Sequence, residues 1–443
     1  MGFMRACALF SLALLVVGSP PALAETEDAP DFEVAALTGN WGGRRDDAWR
    51  AGWSLDATIT VDFLSDRGGL KNGSGVLSDV DVRVRADLEK LAGWTGATAY
   101  LNILDDRGDA FNTLYAGTLN GVSNIEVAAP STRVFQAWIQ QNFFDDQFSL
   151  LAGLYPIDSE FFAMESAASL IHPTFGTPGD LALTHVPAVF NNSALGLRAK
   201  WLARDRTLYC MAAVLDGVAG DPANPQRNSV KLGNGDGVFL IGEFGWMPLE
   251  YGHTFEPVEP VGTLPGETLY RHERYGGVSK DAIGYWRYSS PPPDQYQTAP
   301  DGKPEQRHAY GVYALAERTL FGLDGPGRDV SVFGRYSWSN GLATAVDKTW
   351  NIGVRVRGPL ASRPNDEFLV GAILGHLSSG FRAAQAAAGV AAVANGNVVE
   401  VSWRAALTRY FAVQPLFQSS SNPGVATDAK RTNVFGVRLE LVL

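Results

Sequence analysis

The chain has 443 residues, of which 46% are hydrophobic and 19% are charged, and its formal net charge is −11 at pH 7. This acidic balance excludes the broad basic face with which most nucleic-acid-binding proteins hold phosphates, so nucleic acid is not an expected partner. The 48 glycines favour strands and turns over long helices.

The first segment has the layout of a secretory signal peptide. Arg5 precedes a short apolar run at 7–18, and the small-residue pattern Ala-Leu-Ala follows at 22–24. The apolar run is too short to cross a bilayer as a helix, so we expect residues 1–24 to be removed on export. The remaining chain keeps a single cysteine, Cys210, and therefore forms no internal disulfide.

Segments with a two-residue period begin after this N-terminal region. In "SDVDVRVRADL" (78–88), apolar residues at every second position alternate with Asp79, Asp81, Arg83, Arg85 and Asp87. Successive side chains of a strand point to opposite faces, so this strand has one apolar face and one charged face. The pattern fits a water-soluble sheet above an apolar core, and it also fits a barrel wall whose apolar face meets lipid.

The same alternation recurs along the chain, in about 16 segments. It is clearest in "GWSLDATITVDFL" (52–64), "RVFQAWIQQN" (133–142), "TWNIGVRVRG" (349–358), "VVEVSWRAALT" (398–408) and "TNVFGVRLELVL" (432–443). Long connections are predicted near 65–77, 105–131, 157–192, 216–236, 289–306, 377–397 and 421–431, with short turns between them. One junction, 247–281, breaks this order because it should be short and is not.

An even number of antiparallel strands, with short turns at one end and long loops at the other, is typical of outer-membrane barrels. We therefore predict an all-β fold, a transmembrane antiparallel β-barrel of about 16 strands over residues 52–443. Its short turns would lie in the periplasm and its long loops outside the cell. Residues 25–51 are expected to form a periplasmic N-terminal segment with a short helix. A barrel of this size leaves a water-filled lumen.

A resemblance to a known family extends over nearly the whole predicted mature chain. The motif "LTGNWGGRRDDAWRAG" (37–52) and the block "LLAGLYPIDSEFFAMESAASLIHPTFG" (150–176) resemble those of the carbohydrate-selective porins of the OprB family. The stretch "VEVSWRAALTRYFAVQPLFQSSSNPG" (399–424) is the most specific match. The chain departs from the family at Arg44, Ala48, Leu154, the segment 267–281 and the final Leu443. The resemblance implies a 16-stranded outer-membrane barrel that passes sugars.

These observations indicate a porin, not an enzyme, through which mono- and small oligosaccharides diffuse passively. The sequence contains neither a G-x-S-x-G nucleophile motif nor a plausible Ser-His-Asp set. No cofactor or metal is expected. The expected partners are sugars as transported solute, outer-membrane lipid and lipopolysaccharide, and the barrel assembly machinery, in the outer membrane of a Gram-negative bacterium. Both a monomer and a homo-oligomer fit the sequence.

Candidate sugar contacts are the polar residues expected to face the lumen. Guanidinium groups present five hydrogen-bond donors in fixed geometry, and an indole offers a flat face for stacking on a sugar ring. The candidates are Asp81, Arg83, Arg85 and Asp87 on one strand, Gln136, Trp138 and Gln140 on a second, and Glu400 and Arg404 on a third.

Two alternatives are left open by the sequence. In the first, the lumen charges, including Glu400 and Arg404, only pair across strands and solvate the wall, and Trp138 packs against a loop folded into the barrel, with no contact to a solute. The same fold would also suit organic or aromatic acids, because the arginine faces at 83, 85, 355 and 357 favour anions, although the acidic net charge does not.

Overall fold

The structure is a computed structural model that describes residues 29–221, 223–224, 226, 230, 235, 237–248, 255–257, 270–272, 278–324, 327–422 and 430–443. The predicted signal peptide, 1–24, lies outside the described residues.

Sixteen antiparallel strands close into one barrel, each paired with its neighbours along the chain. The barrel strands are β1 (Trp53–Arg67), β2 (Gly73–Asp87), β3 (Ala97–Gly108), β4 (Ser131–Phe143), β5 (Phe148–Tyr155), β6 (Ala194–Leu202), β7 (Leu208–Asp216), β8 (Val238–Trp246), β11 (Ser279–Tyr288), β14 (Tyr310–Gly322), β15 (Asp329–Ser339), β16 (Val346–Arg357), β17 (Glu367–Leu377), β18 (Asn395–Ala406), β19 (Phe411–Ser421) and β20 (Thr432–Val442). This confirms the predicted all-β, 16-stranded antiparallel barrel.

The remaining strands form two small hairpins outside the barrel wall. They are β9 (Phe255–Pro257) with β10 (Tyr270–His272), and β12 (Pro293–Thr298) with β13 (Pro304–Gln306). The first hairpin lies in the irregular junction at the turn end of the barrel, and the second lies in the long connection after β11.

Helices are short and lie in the terminal segment and the connections. The α-helices are α1 (Phe32–Ala35), α2 (Arg44–Arg50), α3 (Leu88–Ala92), α4 (Pro173–Gly176), α5 (Gly179–Ala182) and α6 (Ser379–Ala387), with a π-helical turn at Asn112–Ala116 and 3₁₀ turns at Ile157–Ser159 and Glu165–Ala167. Among the described residues, no helix has the length and apolar character needed to cross a bilayer.

The wall has the two faces that the alternation predicts. On β1, Leu55 and Phe63 are exposed on the outer surface, whereas Asp62 between them is fully buried in the interior. Ile59, at the centre of the same outer row, pairs with Val80 of β2, while the inward Thr60 pairs with Asp79. The register of neighbouring strands thus keeps apolar residues outside and polar residues inside.

Aromatic residues mark the borders of the outer apolar band. Trp53, Trp201 and Trp246 lie exposed near the turn end of the barrel. Nearer the loop end, Trp350 is exposed and its ring lies 4.2 Å from that of Tyr336 on the neighbouring strand. Amphipathic rings at these two levels are typical of the aromatic girdles of membrane barrels.

The connections follow the predicted alternation of short turns and long loops at most positions. The turn end has 88–96, 144–147, 203–207, 323–328, 358–366 and 407–410, and the irregular junction 247–278 lies at the same end. Most loop-end connections are long, but 340–345 between β15 and β16 is short, and so is 68–72 between β1 and β2, where the sequence predicts a long loop over 65–77. The shortness of 340–345 explains why length alone did not identify it among the predicted long loops. The predicted length of 65–77 is wrong because β1 and β2 extend into this segment, to Arg67 and from Gly73.

The N-terminal segment lies across the seam where β1 meets β20. The N–H of Leu37 donates to the carbonyl of Val442 at 3.0 Å. The buried Arg45 of α2 donates from Nη2 to the carbonyl oxygens of Leu55 and Leu443, both at 3.0 Å, and stacks on Trp41. Arg45 therefore ties α2 to both strands that close the barrel.

Candidate functional site

Two loop-end connections fold back into the lumen. The first inner loop is residues 109–130, between β3 and β4, and the second inner loop is residues 156–193, between β5 and β6. They touch each other where the N–H of Asn124 donates to the carbonyl of Ile171 at 2.9 Å. Together they narrow the barrel between its two ends.

Three glutamates of the wall hold the second inner loop through its backbone. Glu400 of β18 accepts from the N–H groups of Ile171 and His172, at 2.7 and 2.8 Å. Glu243 of β8 and Glu317 of β14 accept from further N–H groups of this loop, those of Phe162 (2.7 Å), Glu165 (3.2 Å) and Ser166 (2.9 Å). These five backbone hydrogen bonds hold the second inner loop against the wall.

Arg335 of β15 binds carbonyl groups of the same loop, whereas the glutamates bind its N–H groups. Its guanidinium is buried and donates to the carbonyl oxygens of Phe162 (2.9 Å), Thr174 (2.6 Å) and Gly176 (2.8 Å). A rigid, planar group with five donors suits several carbonyls that converge on one point. We call Glu243, Glu317, Glu400 and Arg335 the loop clamp.

The first inner loop is held by the strands on the other side of the seam. Gln418 of β19 donates to the carbonyl of Val122 at 2.8 Å. Arg438 of β20 donates to Asn124 Oδ1 at 2.7 Å and forms an ion pair with Asp62 of β1, also at 2.7 Å. The side chains of three adjacent strands therefore meet beneath this loop.

One side of the lumen is filled by apolar packing. Phe161 and Phe162 of the second inner loop are fully buried, in one cluster with Phe239, Trp286 and Tyr288 of the wall. Ring contacts within the cluster include Phe239 to Trp286, with centroids 6.1 Å apart. Partly exposed charges lie instead on the side lined by β1, β2 and β18–β20, although the first inner loop packs on the loop ends of β1, β2, β19 and β20.

That side carries partly exposed charges arranged as cross-strand ion pairs. Arg83 Nε lies 2.5 Å from Asp56 Oδ1, and Arg404 Nη2 lies 2.6 Å from Glu440 Oε1. The side chains of Asp56 and Glu440 are 35% and 32% exposed, so water and solutes reach their oxygens. Asp81 lies 3.6 Å from Arg83 and extends the row. We call Asp56, Asp81, Arg83, Arg85, Arg404 and Glu440 the polar wall.

The structure brings some sequence candidates together and separates others. Asp81, Arg83, Arg85 and Arg404 lie on the polar wall. Asp87 lies apart at the turn end, where its carboxylate caps α3 by accepting from the N–H groups of Glu89 (3.0 Å) and Lys90 (3.1 Å).

Trp138 and its neighbouring glutamines lie under the packing. Trp138 is 6% exposed, and its ring lies 4.8 Å from that of Tyr100. Its Nε1 donates to Gln136 Oε1 at 3.1 Å, while Gln140 Oε1 accepts from Arg198 at 2.7 Å. Glu400 is fully buried by the second inner loop. In this conformation, these four side chains support the wall and the loop.

Sequence reasoning missed the clamp residues Glu243, Glu317 and Arg335. Each has inward parity on a strand, which is a detectable signal. Parity says that a charge faces the lumen, but it does not say that a distant loop supplies its partner.

The inner loops carry three carboxyls whose acidity is changed by burial. Burial raises the pKa of Asp158 to about 6 and the pKa values of Asp180 and Glu126 to about 7. Hydrogen bonds lower these pKa values in part, from the N–H of Phe190 to Asp158 and from the hydroxyl of Ser337 to Asp180.

This predicts that the inner loops dock less stably as pH rises. The docked state holds these protons more tightly than an open, hydrated state, so its advantage is complete below about pH 4 and is lost as pH rises to about 7. Hydrogen–deuterium exchange, corrected for intrinsic rates, should show weaker protection of inner-loop amides at pH 8 than at pH 5. Asp180→Asn should reduce the difference. Equal protection at both pH values would contradict the prediction.

Comparisons with known proteins agree with this architecture. A sequence profile of the carbohydrate-selective porins, OprB family, matches residues 71–443. Porin B of Pseudomonas aeruginosa is 22% identical, over 98% of this chain and 96% of that protein. The putative porin QuiX of Acinetobacter baylyi is also 22% identical, over 81% of this chain and 78% of that protein.

The fold is also similar to that of a solved structure. The high-pH structure of Pseudomonas putida OprB matches with a TM-score of 0.76 at 17% identity, covering 94% of this chain and 100% of that one. The family profile spans most of the sequence and the closed barrel has the expected strand number. The chain therefore belongs to the carbohydrate-selective porins of the OprB family.

Proposed function

We propose that this protein is an outer-membrane channel for the selective, passive diffusion of mono- and small oligosaccharides. The observation that carries the proposal is the polar wall, which lies opposite a lumen side closed by apolar packing. A solute that passes the inner loops must slide along paired guanidinium and carboxylate groups.

The chemistry of these pairs suits sugars. Sugars are uncharged and rich in hydroxyls, which both donate and accept hydrogen bonds. Asp56 and Glu440 offer acceptors, while Arg83 and Arg404 offer donors within the same pairs. Because the contacts are exposed to water, each one contributes little, and weak binding allows the solute to leave.

Among the sequence candidates, we assign sugar contact to Asp81, Arg83, Arg85 and Arg404. We propose that Gln136, Trp138, Gln140 and Glu400 act indirectly, by holding the wall and the second inner loop in place. Asp87 keeps its capping role at α3.

Organic acids are the less favoured solutes. An anion filter needs positive charge in excess, yet Arg83 and Arg404 are each matched by a carboxylate. Arg357 likewise pairs with Asp329, and Arg355 lies within 4 Å of both Glu165 and Glu367. This matching of charges favours uncharged solutes.

The assignment predicts the behaviour of a double variant in planar bilayers. Arg83→Ala with Arg85→Ala should weaken the block of ion current by sugars about fivefold, because each lost hydrogen bond is worth about 1 kcal/mol or less. The carboxylate of Asp56 then lacks its partner, so ion selectivity should shift toward cations.

A matched control is Arg107→Ala. Arg107 lies on the outer surface of β3, bound to Asp105 at 2.6 Å, so its loss should leave sugar block and ion selectivity unchanged. If the double variant shows unchanged sugar block and unchanged ion selectivity, the two arginines only solvate the wall and the assignment is wrong.

A further inference from the structure

The outer surface of three adjacent strands changes character near their loop ends. On β19, β20 and β1, the outward residue changes from phenylalanine (Phe417, Phe435, Phe63) to a hydroxyl or amide (Ser419, Asn433, Ser65) at the next outward position. Phe417 pairs with Phe435, and Ser419 pairs with Asn433, so the changes on β19 and β20 lie side by side. Such a border marks the upper edge of the apolar band.

Two arginines stand directly above this border. Arg67, at the end of β1, pairs with Asn433 across the seam, and Arg431 lies two residues before Asn433 on the same side. The backbone positions of diagonal neighbours on adjacent strands lie roughly 7–8 Å apart. Both arginines are exposed.

The hydrogen bonds of this patch leave its positive charge in excess. Arg67 donates to Ser65 Oγ at 3.1 Å, and Arg431 donates to Ser419 Oγ, also at 3.1 Å. Ser419 in turn donates to Asn433 Oδ1 at 2.9 Å. Within the described part of the chain, no carboxylate oxygen lies within 4 Å of either guanidinium.

We propose that Ser65, Arg67, Ser419, Arg431 and Asn433, here called the rim patch, bind a phosphate group of lipopolysaccharide. The inference rests on the proposed function for its orientation, because that function places the loop end of the barrel at the outer leaflet. The acyl chains of the lipid would then lie against the phenylalanines below the patch, with the phosphates at the height of the arginines.

A phosphate group fits the side chains of the rim patch. Guanidinium groups match phosphate oxygens bidentately, and hydroxyl and amide groups add further donors. The backbone positions of Arg67 and Arg431 are diagonal neighbours across the seam, so two side chains of this length reach one phosphate lying between them. A neutral sugar headgroup would leave both positive charges without a counterion.

The chain contains a control at the same end of β3, two strands from β1. Arg107 of β3 also faces outward, but Asp105 binds it through two hydrogen bonds, at 2.8 and 2.6 Å. Asp105 therefore already balances the charge of Arg107, although Arg107 faces outward as Arg67 and Arg431 do. Loss of Arg107 should not affect the binding of an anionic lipid.

The test is native mass spectrometry of the full-length mature protein in detergent, titrated with bisphosphorylated lipid A. The wild-type protein and Arg107→Ala should bind this lipid A equally. The double variant Arg67→Ala with Arg431→Ala should bind it about tenfold more weakly, as expected for loss of a charge-assisted contact. Enzymatically dephosphorylated lipid A should bind wild type as weakly as the double variant binds the intact lipid. Arg67→Gln with Arg431→Gln provides a second variant if the alanine protein folds poorly.

The outcomes separate this proposal from the sugar channel. Equal affinity of wild type and double variant, equal loss in Arg107→Ala, or equal binding of dephosphorylated lipid would each overturn the rim patch. Sugar block in bilayers should be the same in wild type and double variant, because the patch lies outside the lumen. If the wild-type protein binds lipid A through the rim patch but its ion current is not blocked by sugars, the proposed function is wrong and the rim patch is not.

Discussion

Replacing Arg335 with alanine is expected to raise the single-channel conductance and to remove most of the sugar block. Arg335 donates to four carbonyls of the second inner loop, and hydrogen bonds to charged groups are worth about 1.5–3 kcal/mol each. Losing even two of them should increase the population of the undocked loop by about a hundredfold or more. An undocked loop widens the path and removes the wall opposite the sugar contacts.

Arg357→Ala is the matched control for this variant. Arg357 is also an inward arginine, on the neighbouring strand β16, and its guanidinium binds Asp329 of the wall, at 2.9 Å from Nε. Its loss should leave the second inner loop docked and the sugar block nearly intact. Planar-bilayer recordings of both variants, with and without sugar, measure the difference. If Arg335→Ala conducts and blocks like wild type, the loop clamp does not set the constriction.

The second large effect concerns the two faces of the wall. Ile59 is the central outward residue of β1, so Ile59→Arg would place a guanidinium at the middle of the lipid band, which costs about 2–4 kcal/mol. Thr60→Arg adds the same side chain one residue later, on the face that points into the lumen, beside the polar side chain of Asp79. Folding into vesicles followed by urea denaturation should show a large loss of stability for the first variant and a small change for the second.

The comparison of these neighbours is decisive because both variants introduce the same arginine side chain and both replace a β-branched residue of the same strand. Equal loss of stability in both variants would mean that the assigned parity is wrong. A larger loss for Thr60→Arg would mean that the apolar residues face inward, as in a water-soluble sheet.

The wall could be predicted from the sequence because a strand encodes its two faces locally. In "SDVDVRVRADL", the alternation of valine with aspartate and arginine gives both the strand and its orientation, and the structure pairs Val82 with Ala57 and Arg83 with Asp56 in that register. The predicted segment 78–88 differs from β2 at both ends, since β2 starts at Gly73 and Asp87 ends it as the cap of α3. Local patterns define element ends poorly because capping and tilt extend or stop strands.

The constriction could not be predicted because its contacts join residues far apart in the chain. Glu400 and Arg335 have the parity of lumen residues, which is all that a local pattern provides. Their partners, Ile171 and Thr174, lie 229 and 161 residues away. The composition of the second inner loop indicates a long connection, but which way such a loop folds depends on the assembled wall. For the same reason, Trp138 has the parity of an open stacking face and is nevertheless buried.

The central claim is that the polar wall selects uncharged sugars over acids of similar size. Swelling of liposomes that contain the purified protein tests it most directly, with a neutral hexose compared with the corresponding sugar acid at neutral pH and equal osmolarity. The matched ion pairs predict fast swelling with the hexose and slower swelling with the acid. Faster swelling with the acid would contradict the account, since the arginines would then act as an anion filter.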